Sequence, residues 1–313
     1  MDPVIAPTLV ERAAEHLRKN VRRTAPGFAT GFSGSLQQSV DPSTRGPIAP
    51  ALVPQMDTPR TKATGLAGSR TITLDRNRLR VAQVIDWTGP RTQISEEFRI
   101  IKRQLLRQAF PSPGAARAGA NLVMITSARP GEGKTFTSLN LALGIATEPS
   151  RHVLLVDADT SRQGVGEVIG LGDQRGLLDV LSGNERELSQ VMLRTDILNF
   201  ALVPAGGARD DAAELLAGSR MAALLREMSL RYSDRIILVD APPCLVSSDP
   251  LTLAGIVGQV LMVIEAERTQ RDEIAFALEM VKDCQNVSLI LNKVQVTNDV
   301  FLGSYGPYYG FVR

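Results

Sequence analysis

A mostly parallel α/β sheet covered by helices on both faces is the fold class the sequence predicts, on three observations. Six apolar runs, LVMIT, VLLVD, FALVP, RIILVD, QVLMVIE and VSLILN, alternate with segments of helical length. Continuous β-branched and leucine-rich runs belong to strands buried on both faces, and the helices between them supply the crossovers that parallel strands require. The first run leads into SARPGEGKT and then into FTSLNLALGIA, the strand, loop and helix order of a phosphate-binding loop. Two further runs end in aspartate, at what would be the ligand-binding carboxyl edge of an open parallel sheet.

In chain order, residues 8–22 read as a short amphipathic helix. Leu9, Ala13, Leu17 and Val21 recur every fourth residue, with Arg12, Arg18, Lys19 and Arg22 elsewhere around it. This N-terminal element, 1–23, has the pattern of a solvated docking helix, or of one lying on a membrane surface or a specific partner. From 24 to 70 the chain is rich in Pro, Gly, Ser and Thr without apolar periodicity, which predicts a disordered, flexible linker. Order resumes near TITLDRNRLRVAQVI, and the main domain is expected over 71–300. SEEFRIIKRQLLRQA predicts a helix with Ser95 as N-cap, Glu96 and Glu97 suiting its positive start, and Phe98, Ile101, Leu105 and Ala109 as one apolar stripe. The last segment, 301–313, holds three of the four tyrosines, Tyr305, Tyr308 and Tyr309, among glycines, and reads as a flexible tail too poor in aliphatic side chains to bury much.

The totals exclude several function classes. A formal charge of +2 argues against a dedicated nucleic-acid binder. The first ninety residues carry twelve Lys and Arg against seven Asp and Glu, so the positive excess lies at the front. Cys244 and Cys284 form neither a disulfide framework nor a metal site, and with only His16 and His152 a His/Cys metal cluster is excluded. A reducing cytoplasm fits. The longest apolar window, AGIVGQVLMVI, breaks at Glu265, short of the roughly 20 residues that span a bilayer. The N-terminus lacks signal-peptide order, because its charges follow its apolar residues. Any membrane connection is therefore expected through a partner.

The chemistry is carried first by the loop. Ala128, four residues, then Gly133, Lys134 and Thr135 match the Walker A spacing, with Ala in place of the first Gly. Ala128, Arg129, Pro130, Gly131, Glu132, Gly133, Lys134, Thr135 and Phe136 are thus expected around a nucleotide. Gly131 and Gly133 let backbone N–H groups approach phosphate oxygens, Lys134 neutralises β and γ charge, and Thr135 offers a hydroxyl to Mg2+. The flanking strand and helix favour this P-loop NTPase reading over an ordinary strand-to-helix turn. Asp157 and Asp159 in VLLVDAD, with Asp240 in RIILVDAPP, bring three carboxylates towards the phosphates; one can bind Mg2+ and another polarise an attacking hydroxyl. A lone strand-end Asp would be a cap or turn former. LILNKVQ approaches the guanine-reading Asn-Lys-x-Asp signature, but Gln295 stands where the aspartate belongs, and a neutral amide cannot accept from both guanine N–H groups without loss. ATP is the expected nucleotide. Asn292 either touches the base edge or simply ends a strand.

With these motifs in place, the chain from about Thr71 to its end resembles the bacterial tyrosine kinases, P-loop autokinases of exopolysaccharide systems. Among them it is most similar to the exosortase-associated tyrosine autokinase group, in which kinase and membrane protein are separate chains. The blocks that carry the resemblance are EEFRIIKRQLL, TSARPGEGKT, VLLVDAD, GLLDVLSG, AAELLAGSRM, IILVDAPP and the tyrosine tail. The resemblance implies ATP and Mg2+, with Lys134 and Thr135 in Walker A, Asp157 and Asp159 in the second Walker motif and Asp240 as the Walker B carboxylate. Asp157 would activate a tyrosine hydroxyl. Thr135 and Asp240 would hold Mg2+, with Asp159 supporting it directly or through water. Glu96, Arg99 and Lys102 stand where the family has the Glu-x-x-Arg-x-x-Arg helix of ring assembly; Lys replaces the last Arg and lacks its bidentate fork, and Arg103 follows. The alternative for that face is a solvated charged surface. Ser161 replaces one of two basic residues common after Asp-x-Asp, leaving Arg162, and Ala follows Asp240 where Thr or Ser is frequent.

The resemblance further implies a ring-like homo-oligomer that phosphorylates Tyr305, Tyr308 and Tyr309 in trans. Its partner would be a cytoplasmic segment of a membrane polysaccharide co-polymerase, recruiting a cytoplasmic protein to the inner face of the plasma membrane, with no nucleic acid involved. Each phosphate adds about −1.5 to −2 charge, so modified tails should leave the carboxylate-lined crevice and loosen the ring. The rival is a ParA/MinD-like ATPase switch. Such proteins carry a signature Lys five residues before the Walker A Lys, where this chain has Arg129 followed by Pro130. The tail and the EEFR helix favour the kinase. Against a catalytically dead nucleotide-binding regulator stand the intact Lys134, Thr135 and three aspartates.

Overall fold

The computed structural model describes residues 70–112, 114, 117–160 and 164–295. The expected N-terminal helix, nearly all of the linker, Ser161, Arg162 and the tyrosine tail lie outside them. Chain order is β1 (Thr71–Ile72), α1 (Arg76–Val81), α2 (Gln93–Ala109), β2 (Leu122–Ser127), α3 (Lys134–Ala146), β3 (His152–Asp157), α4 (Val165–Ile169) and α5 (Leu177–Ser182). A 3-10 turn (Leu188–Gln190) precedes β4 (Leu193–Thr195), β5 (Phe200–Val203), α6 (Ala212–Ala217) and α7 (Ser219–Arg231). β6 (Arg235–Asp240), α8 (Asp249–Ala254), β7 (Gln259–Glu265), α9 (Arg271–Met280) and β8 (Val287–Asn292) complete the described part.

One eight-stranded sheet runs β1-β4-β5-β3-β6-β2-β7-β8. Every pairing is parallel except that of β4 with β5. All six predicted runs are strands. β1 and β4 are additions of two and three residues, too short for any periodicity to show.

All six residues of β2 are buried, and they serve two cores in turn. Leu122 and Met124 pack with residues from α5, α6, α7 and α9, whereas Val123 and Ile125 pack with α2 and α3. Leu154 and Val156 of β3 repeat the first pattern, Val153 and Leu155 the second. Burial on both faces is why these strands read as continuous apolar runs rather than alternating ones. α3 is buried almost all round, because it lies between the sheet and α2.

α2 corrects one expectation. It starts at Gln93, with Thr92 rather than Ser95 as N-cap. The Thr92 backbone N–H donates to Ser95 Oγ at 2.9 Å and the Ser95 N–H to Thr92 Oγ1 at 3.3 Å. This reciprocal box satisfies two donors at the helix start and extends the helix towards the N-terminus. Before it, residues 84–92 strap across α2 and α3. The Ile85 N–H donates to Asn140 Oδ1 at 2.8 Å, and the Trp87 ring lies so close to Gly144 of α3 that a Cβ there would stand 2.6 Å from it.

Candidate nucleotide site

The P-loop joins β2 to α3 and closes with two glycines in left-handed conformation, Gly131 at φ +82° and Gly133 at φ +98°. Only Gly adopts such angles without strain, and Gly133 also has no room for a Cβ, which would meet Asn292 Nδ2 at 2.2 Å. Glu132 between them is buried. Its carboxylate accepts from the Arg129 N–H at 2.7 Å, from the Glu265 N–H at 3.3 Å and from the Thr269 hydroxyl. The Asn292 amide donates to the Glu132 carbonyl at 2.8 Å, and Lys293 Nζ donates to the Gly131 carbonyl at 2.7 Å while pairing with Glu265. Asn292 and Lys293, which drew notice as part of a base-reading signature, therefore brace the loop from behind. Asn292 is the last residue of β8, the strand-ending role open to it, and its amide holds the loop.

Parallel pairing brings the carboxylates together. Asp157 of β3 stands opposite Asp240 of β6. Asp240 is wholly buried, and its two oxygens accept from Thr135 Oγ1 at 2.8 Å and Ser138 Oγ at 2.9 Å. Burial pushes its carboxyl up to about 6, against the pull of the Lys134 charge and the Thr135 hydroxyl. Asp157 is raised well above the usual carboxylate range, first by burial and next by the charge of Asp240, while the Gly166 N–H opposes the shift. Its oxygens accept from the N–H groups of Asp159 at 3.3 Å and Gly166 at 3.2 Å. Lys134 forms a buried ion pair with Asp159. Lys134, Thr135, Asp157, Asp159 and Asp240 thus form one cluster, as their strand-end and loop positions predict.

A cleft of about 480 Å3 opens in front. Pro130, Gly131, Gly133, Lys134, Thr135 and Phe136 line it from the loop and the start of α3, and Asp159, Thr160, Ala213, Pro242, Pro243, Val246, Ser247 and Asp249 from other parts of the chain. Asp157 and Asp240 are not among the lining residues. Glycine-cradled backbone amides with a lysine fit a polyphosphate. Among the described residues no group of three or more His, Cys, Asp or Glu could hold a metal alone. A magnesium ion keeps water and phosphate in its shell, however, so hard oxygen donors from Thr135, Asp240 and Asp159 are a suitable set.

The helix residues expected to build a ring are placed differently from one another. Lys102 is 5% exposed: its ammonium donates to the Gly144 carbonyl at 3.0 Å and pairs with Glu148 at 2.9 Å, at the negative end of α3. It is thus not a solvated charge, because α2 turns it onto α3. Glu96 and Arg99 are partly exposed and pair with each other at 3.2 Å. Arg103 is exposed. Arg129, at the position near the rival's signature lysine, faces Glu273 at 3.7 Å.

The profile of the AAA domain family matches residues 120–294. The chain belongs to that family. This AAA domain is similar to EpsB of Ralstonia solanacearum, provisionally named a tyrosine-protein kinase: 36% identical over 199 residues, 63% of this chain and 26% of EpsB. It therefore spans about a quarter of that relative's length. The tyrosine-protein kinase YwqD of Bacillus subtilis is 29% identical over 232 residues, 74% of this chain and 94% of YwqD. Of solved structures, the kinase domain of the Escherichia coli tyrosine kinase ETK superposes with a TM-score of 0.56 at 25% identity, covering 73% of this chain and 92% of that one. The AAA domain thus carries the P-loop NTPase architecture expected from the sequence. No helix among the described residues is long and apolar enough to cross a membrane.

Sequence reasoning missed three contributors. Ser138 lies one helical turn after Thr135 on the same face, a spacing that could have identified it as the second donor to Asp240. The Glu132 side chain was grouped with the loop but not seen as its brace. Asp249, in the SSDP stretch after β6, went unremarked, although a helix start following a carboxyl-edge loop marks it as close to the site.

Proposed function

We propose that this chain is an ATP-dependent protein-tyrosine autokinase that modifies Tyr305, Tyr308 and Tyr309 on a neighbouring copy and so regulates exopolysaccharide polymerisation and export. The observation that carries this reading is the cluster of Lys134, Thr135 and three aspartates on a glycine cradle, in a chain similar to proteins named tyrosine-protein kinases. The backbone amides of the loop orient the phosphates, and Lys134 turns from Asp159 to the γ-phosphate. Thr135 and Asp240, with Asp159 directly or through water, would hold a magnesium ion, which supplies charge neutralisation on the β and γ oxygens. Asp157, made more basic by its burial, takes the tyrosine hydroxyl proton. The phenolic oxygen bonds to the γ-phosphorus as the bond from that phosphorus to the β–γ bridging oxygen breaks, and ADP departs. Catalysis in this scheme is chiefly positioning and electrostatics.

Assembly through the exposed part of α2, and activation by a cytoplasmic segment of a membrane co-polymerase, belong to the same reading. The test incubates the full chain with ATP and Mg2+, with and without such a segment, and maps phosphate by mass spectrometry. Phosphotyrosine on the tail is expected, with Lys134→Met abolishing it. Replacing the three tail tyrosines by Phe should leave ATP binding intact. ATP hydrolysis with no phosphotyrosine under either condition would favour a ParA/MinD-like ATPase switch instead.

A further inference from the structure

The cleft has two unlike parts, and the loop accounts for only one. Besides the loop residues, the buried Pro242 and Pro243 and the exposed Ala213 and Val246 give the cleft an apolar part. Val246 is 67% exposed and lines the cleft, where it adds an apolar contact to a polar site. Asp249 also lines the cleft and is only 3% exposed. Its Oδ1 is buried with no hydrogen-bond partner among the described residues. A buried oxygen left unpaired costs free energy unless something that enters the cleft pairs with it.

We propose that Asp249 and Val246 form the acceptor subsite, in which a tyrosine ring lies against the Pro243 and Val246 wall and its hydroxyl donates to Asp249 Oδ1. The inference rests on the kinase reading above and extends it to the residues that select the acceptor. A flat ring covers prolines and valine with its face, and its one donor matches the one unpaired acceptor. Serine or threonine would reach the carboxylate but leave the apolar wall wet, so the subsite favours phenols. Asp249 holds the hydroxyl by its single proton as the ring docks, and that same proton passes to Asp157 as the phenolic oxygen turns towards the γ-phosphorus.

The test uses the full chain with Tyr305, Tyr308 and Tyr309 replaced by Phe, and as probe a labelled peptide of the tail, GSYGPYYGFVR. Peptide binding is followed by fluorescence anisotropy in ADP and Mg2+, and phosphate transfer from ATP is measured in parallel. Asp249→Asn should weaken peptide binding about tenfold, the loss expected of a hydrogen bond to a charged group, and raise the peptide KM with ATP affinity unchanged. Asp249→Glu should restore part of it. Val246→Ser, at an exposed position that does not endanger folding, should weaken binding about fivefold. No peptide binding to the parent chain, equal binding by all variants, or an equal loss of ATP affinity would overturn the subsite. Binding that depends on Asp249 and Val246 without phosphate transfer would instead keep the subsite and sink the kinase reading.

Discussion

Asp240 is a carboxylate placed where water cannot reach it, held by the hydroxyls of Thr135 and Ser138. Its folded-state value of about 6 stands above the ordinary 3.8, so between those values the folded chain binds a proton that the unfolded chain has lost. Stability is therefore greatest below about pH 4 as far as this group is concerned, and declines as pH rises through 6. A shift of that size corresponds to about 3 kcal/mol. Asp240→Asn, which removes the buried charge, should make the metal-free protein more stable at pH 8 by about 1–3 kcal/mol while abolishing phosphate transfer. Urea unfolding in a chelator at pH 8 and pH 4 checks this; the gain should vanish at the lower pH. Glu132 has the opposite character, since its buried carboxylate is fully engaged by the Arg129 and Glu265 amides and the Thr269 hydroxyl. Glu132→Ala leaves those donors unpaired at about 1–3 kcal/mol each, so ATP affinity should fall about tenfold in a nucleotide titration. The sequence showed Lys134, Thr135 and the three aspartates because spacing and strand ends mark them. It hid what Glu132 and Asn292 do, because Glu132 is held by Glu265 of β7 and holds Asn292 of β8, contacts that join residues more than a hundred positions apart in the chain.

At the scale of elements, α2 shows a signal that was legible and was outweighed. Lys102 follows Phe98 by four positions and precedes Leu105 by three, which puts it on the apolar stripe by spacing alone. Its charge drew the eye outward, yet the structure keeps it inside by giving the ammonium the Gly144 carbonyl and Glu148. Lys102→Ala should accordingly destabilise the monomer by about 1–3 kcal/mol, measured by thermal unfolding at concentrations too low for assembly. A residue used only between subunits would leave that transition unchanged. Gly144 tests the other side of this contact. Trp87 is the only tryptophan in the chain, and a methyl at residue 144 would overlap its ring. Gly144→Ala should therefore shift the fluorescence to longer wavelength as the indole becomes wet, with a loss of about 1–3 kcal/mol from overpacking. The strap itself was unreadable in advance, because residues 84–92 have no periodicity and are held by single contacts to α2 and α3.

Across the whole molecule, the parallel pairing of β2, β3, β6, β7 and β8 sends their carboxyl ends to one edge. That edge carries the P-loop, Asp157, Asp240 and the last residue of β8, Asn292. The chain thus leaves the last strand among the described residues beside the site that the tail tyrosines are proposed to enter. Tyr305 lies ten positions beyond Gln295, a span of at most about 36 Å when fully extended. An upper bound on length does not decide between transfer within and between copies; mixing does. A chain with Lys134→Met keeps its tyrosines but lacks the phosphate lysine, and one with the three tail tyrosines changed to Phe keeps the lysine but lacks acceptors. Incubated together with ATP and Mg2+, they should yield phosphotyrosine on the Lys134→Met chain, at a rate that rises with the concentration of both. No phosphotyrosine in that mixture, with the unaltered chain incubated by itself gaining phosphate at a rate per molecule independent of dilution, would instead mean that each tail serves its own cleft, and assembly would then have no part in the chemical step.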